Sequence, residues 1–146
     1  MDYEVHEPIE PIPFMEQNII INDAITEYYS NSTAESLEKV MYSIYRCMIE
    51  DGHFIIPVDI EEKDGETSYI FKTLMLEDGL MATVGFTTKE DFDKAPESGA
   101  LSNFIDSILE VVKDNEYYSG IILNPWGESF FLTKEMIGLI LGAKDA

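Results

Sequence analysis

The chain has 146 residues, 45% hydrophobic and 12% aromatic, which suits one domain with a proper core and lies above the range of disordered chains. Its 29 acidic and 9 basic residues leave a formal charge of −20, which argues against nucleic-acid and anionic-membrane partners. A basic protein or a cation is the electrostatically easier partner.

Residues 1–15 are acidic and carry Pro8, Pro11 and Pro13, a spacing that favours extended backbone. They read as a strap or tail ahead of a domain over residues 16–146. Pro8-Ile9-Glu10-Pro11 fits the PxxP pattern, which is too common to carry a function. This start has neither a basic end nor an apolar stretch, so a signal peptide is not expected, and no apolar run is long enough to span a membrane. Cys47 is the only cysteine, so no intramolecular disulfide can form, and the cytoplasm is the expected compartment.

Residues 18–29 place Ile20, Ile21, Ala24, Ile25 and Tyr28 on one helical face. Ser32 with Glu35 three positions on fits a capping box, opening a second helix with Leu37, Val40, Met41, Ile44 and Met48 at three-four spacing. That helix is expected to stop at Asp51-Gly52, with glycine in the left-handed cap. The pattern then changes to strands over residues 53–60, 68–76 and 80–86. Asp64-Gly65 and Asp78-Gly79 separate them, so they read as a three-stranded meander.

Thr87, with Glu90 three positions on, fits the cap of a short helix ending by Pro96. Residues 101–113 read as a helix, with Leu101, Phe104, Ile105, Ile108, Leu109 and Val112 on one face. Residues 120–123 and 129–132 read as strands across Asn124-Pro125-Trp126-Gly127-Glu128. Thr133 caps a last helix over residues 134–141. The order ααβββααββα predicts a single α+β domain, a mostly antiparallel sheet of about five strands packed with helices.

The chemistry-bearing residues are sparse. His6 and His53 are far apart and there is one cysteine, so no zinc spacing exists. Glu61, Glu62, Asp64 and Glu66 crowd one turn, but Ile60 and Phe71 stand where an EF-hand needs its first and last ligands. The turn reads as solvated, with no metal. Cys47 falls beside the apolar stripe of its helix and reads as a packed, inert thiol. With no phosphate loop and no nucleophile elbow, no catalytic residue and no cofactor are expected. In the Asn-Pro-Trp-Gly turn, Asn, Pro and Gly explain the backbone without any function. Trp126 does not follow from turn chemistry: it either packs on the core or anchors an interface. Tyr28-Tyr29, Tyr42, Tyr45 and Tyr117-Tyr118 are further interface candidates or, equally, core edges.

Phe86-Thr87-Thr88-Lys89-Glu90-Asp91, at a strand end, resembles the F-T-S-x-E-E stretch of the SseB-like family, the domain named for enhanced serine sensitivity. Ile121-Ile122-Leu123-Asn124-Pro125-Trp126-Gly127 is similar to the family's hydrophobic strand running into an Asn-Pro turn about thirty residues later. Phe54-Ile55-Ile56-Pro57-Val58 matches an earlier strand with an embedded proline. The resemblance spans roughly residues 32–141. It departs at Gly85, where a small apolar residue after a proline is expected. What the resemblance implies is a fold and a non-catalytic, accessory role in protein interaction.

The expected function is therefore a non-catalytic, cytoplasmic protein-binding or regulatory module. Its expected partner-binding residues are Asn124, Pro125 and Trp126 with Phe86, Thr87 and Thr88, forming one rim if the two segments are neighbours. The alternative is an acidic neutralising protein, an immunity protein or a nucleic-acid mimic, binding a basic partner. A third reading is an enzyme using two carboxylates in a cleft. An exposed edge in the C-terminal hairpin would support a homodimer.

Overall fold

The computed structural model describes residues 16–77, 79–95 and 99–144. The acidic tail read over residues 1–15, Asp78 of the second turn and the helix end at Pro96 lie outside the described residues. After a single 3-10 turn, helix α1 runs Ile19–Ser30 and helix α2 runs Ala34–Ile49. α1 buries Ile21 and Ile25, whereas Ile20 stays exposed. The cap of α2 is Thr33 and not Ser32: Thr33 Oγ1 accepts from the Ser36 amide, and Ser36 Oγ accepts from the Thr33 amide. Ser32 instead donates to the Tyr28 carbonyl of the previous helix. At the far end of α2 the left-handed residue is Asp51, with φ of 61°. Gly52 is required for another reason, since a Cβ there would sit 2.7 Å from the Cys47 carbonyl oxygen.

Strand β1 (His53–Lys63) folds back into β2 (Glu66–Phe71) through Asp64 and Gly65, whose φ values of 55° and 81° make the primed turn that matches strand twist. The strand read over residues 68–76 breaks at Lys72, where its amide donates to the Pro57 carbonyl. Beyond the break, β3 (Thr73–Met75) pairs with β4 (Met81–Gly85) and not with β1. Helix α3 (Lys89–Asp93) follows, then a strand the periodicity did not reveal, β5 (Ala100–Phe104), antiparallel to the first half of β1. Leu101 and Phe104 therefore belong to a strand, and helix α4 (Ile105–Asp114) starts later than expected. The chain ends with β6 (Tyr118–Leu123), β7 (Phe130–Thr133) and α5 (Lys134–Lys144). Thr133 caps α5 by accepting from the Met136 amide.

The strands form two sheets, β2-β1-β5 and β3-β4-β6-β7. Reciprocal backbone bonds between Ile55 and Phe86, 2.9 and 2.8 Å long, join them. All pairs are antiparallel except β4 with β6. β7 is an edge strand. The molecule is α+β, as expected. β1 alternates between two cores, which is why residues 54–58 are all buried. Phe54, Ile56 and Val58 join the main core with α1, α2, α4 and α5, while Ile55 joins Val84, Phe86 and Phe92 beneath α3. Among the described residues no helix is long and apolar enough to cross a membrane.

Candidate functional site

The parallel pairing of β4 with β6 sets Gly85 opposite Leu123, so the two strands end side by side. The two segments singled out in the sequence meet there. The Asn124 amide donates to the Gly85 carbonyl at 2.9 Å. Thr87 N–H donates to Asn124 Oδ1 at 3.0 Å, and Asn124 Nδ2 donates to Thr87 Oγ1 at 3.0 Å and Asn22 Oδ1 at 3.3 Å. Asn124 has φ of 53°, a left-handed conformation that asparagine tolerates better than most residues. It is therefore chosen twice, for its backbone and for its amide. The Gly127 amide closes the turn on the Asn124 carbonyl at 3.0 Å.

Asp91, buried in the first turn of α3, ties that helix to α1. Its Oδ2 accepts from Asn22 Nδ2 at 2.8 Å and Thr88 Oγ1 at 2.6 Å. The Asp91 amide donates back to Thr88 Oγ1 at 3.1 Å, which makes Thr88, not Thr87, the cap of α3. Thr87 Oγ1 instead donates its one hydrogen to Asn22 Oδ1, its nearer acceptor. Asn18 adds a further tie: its Nδ2 donates to the His53 carbonyl at 2.7 Å and the Thr87 carbonyl at 2.8 Å. Its Oδ1 is buried and meets no hydrogen-bond partner among the described residues.

Asn18, Asn22 and Asp91 were not among the sequence candidates. The readable signal was Asn18 and Asn22, one helical turn apart beside an apolar stripe. That stripe continues as a seam. Asn22 meets Asn124, Thr26 donates to Glu128, and Tyr29 Oη donates to the Ser129 carbonyl at 2.6 Å. Asn124, Glu128 and Ser129 thus bind the loop to α1 at three points.

Two depressions flank this loop. A polar cleft of about 240 Å³ is lined by Asn22, Thr88, Asp91, Lys94, Asn124 and Glu128, among others. An aromatic groove of about 410 Å³ lies between Tyr28, Tyr29, Leu37, Phe130, Phe131 and Met136. Trp126 rises from the loop with its ring stacked on Phe86, centroids 6.3 Å apart and planes at 24°. Phe86 is itself fully buried and meets Phe92 edge-on.

Of the six expected rim residues, then, Phe86, Thr87 and Asn124 are buried, Thr88 and Pro125 are half-buried, and Trp126 is 43% exposed. The first three build the rim, and Trp126 is the surface it offers. Among the tyrosines, Tyr29, Tyr42 and Tyr117 are exposed, while Tyr28, Tyr45 and Tyr118 are half-buried. Cys47 is buried in α2, and loss of solvent pushes its thiol pKa up to about 12. Glu61, Glu62, Asp64 and Glu66 all stand in solvent at the β1–β2 turn. Among the described residues no group of three or more His, Cys, Asp or Glu could hold a metal ion.

No protein-family model matches the chain, and it matches no curated protein and no solved structure. The SseB-like resemblance accordingly rests on its short motifs and their order.

Proposed function

We propose that the chain is a non-catalytic protein-binding or regulatory module of the SseB-like type, acting in the cytoplasm and holding its partner on residues 124–129. The observation that carries this reading is Trp126, the only tryptophan, half open to solvent yet stacked on a buried phenylalanine. Tryptophan is the side chain most enriched among binding anchors. A ring already held in one orientation loses little freedom on binding. The Asn124 bonds fix the loop beneath it, and the aromatic groove continues the surface on the far side. Partner capture followed by affinity measurement with the purified partner tests the reading. Trp126→Ala is expected to cost about 2 kcal/mol of binding or more. An unaltered affinity removes the assignment.

The net charge and the solvent-facing acids of the β1–β2 hairpin favour a second reading, an acidic neutralising protein that binds a basic partner. Its association would slow steeply with added salt. Association indifferent to ionic strength removes it. The paired-carboxylate enzyme stands third. Asp91 does lie in a cleft with Glu90 and Glu128, but its Oδ2 is already used to tie α1 to α3. The open β7 edge adds support for a homodimer alongside either binding reading.

A further inference from the structure

The outer strands of the two sheets are β2, β5, β3 and β7, and β2, with 6 residues, is the longest. The Lys72 amide donates to the Pro57 carbonyl, whereas the Val58 amide turns the other way, to Gly99 beside β5. The bonded pairs of the β1–β2 ladder therefore fall at Ile70, Ser68 and Glu66. The N–H and C=O groups of Thr67, Tyr69 and Phe71 point away from β1, and among the described residues they meet no hydrogen-bond partner. Proline and bulges commonly blunt such an edge, and β2 has neither. Its side chains are also unspent. Tyr69 and Ile70, on opposite faces, are 46% and 45% exposed. Tyr69 sits across from Ile60 and on the same face as Phe71, both of which pack on the main core, so a strand laid beside β2 would extend that apolar face.

Charge selects what can lie along this edge. Asp59, Glu61 and Glu66 share the face of Ile70, and Lys72 Nζ, 3.5 Å from Asp59, answers one of them. A second copy of the chain would bring a further −20 and set these carboxylates against their equals. The chain's own residues 1–15 carry Asp2, Glu4, Glu7 and Glu10 without a lysine or arginine, and are repelled in the same way. We propose that β2 takes an antiparallel strand from a basic protein partner, in which apolar residues alternate with lysine or arginine. The apolar residues lie over Tyr69 and Phe71, and the basic ones fall on the face of Ile70, Glu61 and Glu66. Antiparallel pairing is the more stable kind, and it bonds the residues opposite Thr67, Tyr69 and Phe71, which are the apolar ones. Main-chain bonds supply the affinity and the alternation supplies the specificity. The inference rests on the basic-partner reading, gives it a surface and a binding mode, and owes nothing to Trp126.

The test is amide hydrogen exchange of the full chain, read by NMR, with and without a capped peptide of alternating lysine and valine. In the free chain Thr67, Tyr69 and Phe71 are expected to exchange fast and Ser68 and Ile70 slowly. At about 1 mM peptide, exchange at the first three is expected to slow about tenfold. That two-residue period does not arise from general attraction to an acidic molecule. The same peptide N-methylated at its valines keeps its charge, loses the donors that face β2, and is expected to protect none of the three. Tyr69→Pro, tolerated on an edge where the N–H faces solvent, is expected to abolish protection at Thr67 and Phe71. The double variant Glu61→Gln, Glu66→Gln is expected to weaken binding about two- to fivefold. Absence of protection at all three amides with the unmodified peptide overturns the proposal. Equal protection by the N-methylated peptide also overturns it. The basic-partner reading fails separately: partner association indifferent to salt removes it whatever the peptide does.

Discussion

The knot around Asn124 and the β1–β2 hairpin are built from the same kinds of residue and use them in opposite ways. In the knot, Asn18, Asn22, Thr87, Asp91 and Asn124 come from three distant parts of the chain and bond to one another or to backbone. Across residues 61–70 of the hairpin every residue is exposed, on both faces, including Tyr69 and Ile70. The hairpin is anchored at its base, where Ile60 and Phe71 pack on the core, and beyond that its backbone ladder holds it. An acidic residue there contributes charge and solubility, whereas Asp91 positions a helix. Residue type thus says little about role until the partners are known, and the knot is where a substitution should be felt.

The largest effect that could break this comparison is at Phe86. Phe86→Ala should cost about 3–5 kcal/mol of stability in denaturant unfolding. Tyr69→Ala in the hairpin should stay within about 0.5 kcal/mol. Comparable values would mean the two regions are not so different. Next is Asn124→Ala, which removes the acceptor of the buried Thr87 N–H and forces a residue with a Cβ and no amide into left-handed backbone. A loss of about 2–4 kcal/mol is expected. Asn124→Gly should recover about 1 kcal/mol of it by relieving the backbone alone. Equal losses for the two variants would mean that backbone strain plays no part.

Trp126→Ala should cost only about 1 kcal/mol of stability, the scale of one aromatic stack. A loss as large as that of Phe86→Ala would make Trp126 a core residue instead of a surface anchor. The smallest effect lies outside both regions and calibrates an ordinary surface ion pair. The hydrogen bond from Lys144, 3.0 Å away, holds the Asp106 carboxyl below its ordinary range. A carboxyl pKa depressed in the folded state contributes stability above the unfolded value, and that contribution is lost as pH falls through the folded value. Lys144→Met should therefore remove about 0.5 kcal/mol at neutral pH and make acid unfolding less steep. Acid titrations that superimpose for the two proteins would refute the assignment.

The sequence carried the fold further than the site. Helical periodicity placed α1 and α2 because each has an apolar stripe long enough to repeat, and the Thr133 cap placed α5. It missed β5, whose Leu101 and Phe104 happen to continue the spacing of α4, and only the pairing with β1 separates them. Caps at α2 and α3 fell one residue later than read because neighbouring hydroxyl residues compete for the same position, Ser32 with Thr33 and Thr87 with Thr88. The Asn-Pro-Trp-Gly turn and the Phe86 strand end were visible as motifs. Their junction needed the parallel β4–β6 crossover, which no local pattern encodes. Asn22 and Asp91, 69 residues apart, carry no mark of their meeting.

The most direct test of the central claim is the affinity of the purified partner for wild-type and Trp126→Ala proteins, measured beside their unfolding midpoints. A rigid tryptophan platform predicts that affinity falls at least about tenfold while stability falls by about 1 kcal/mol. Unchanged affinity would contradict it and leave Trp126 as a half-covered lid on Phe86.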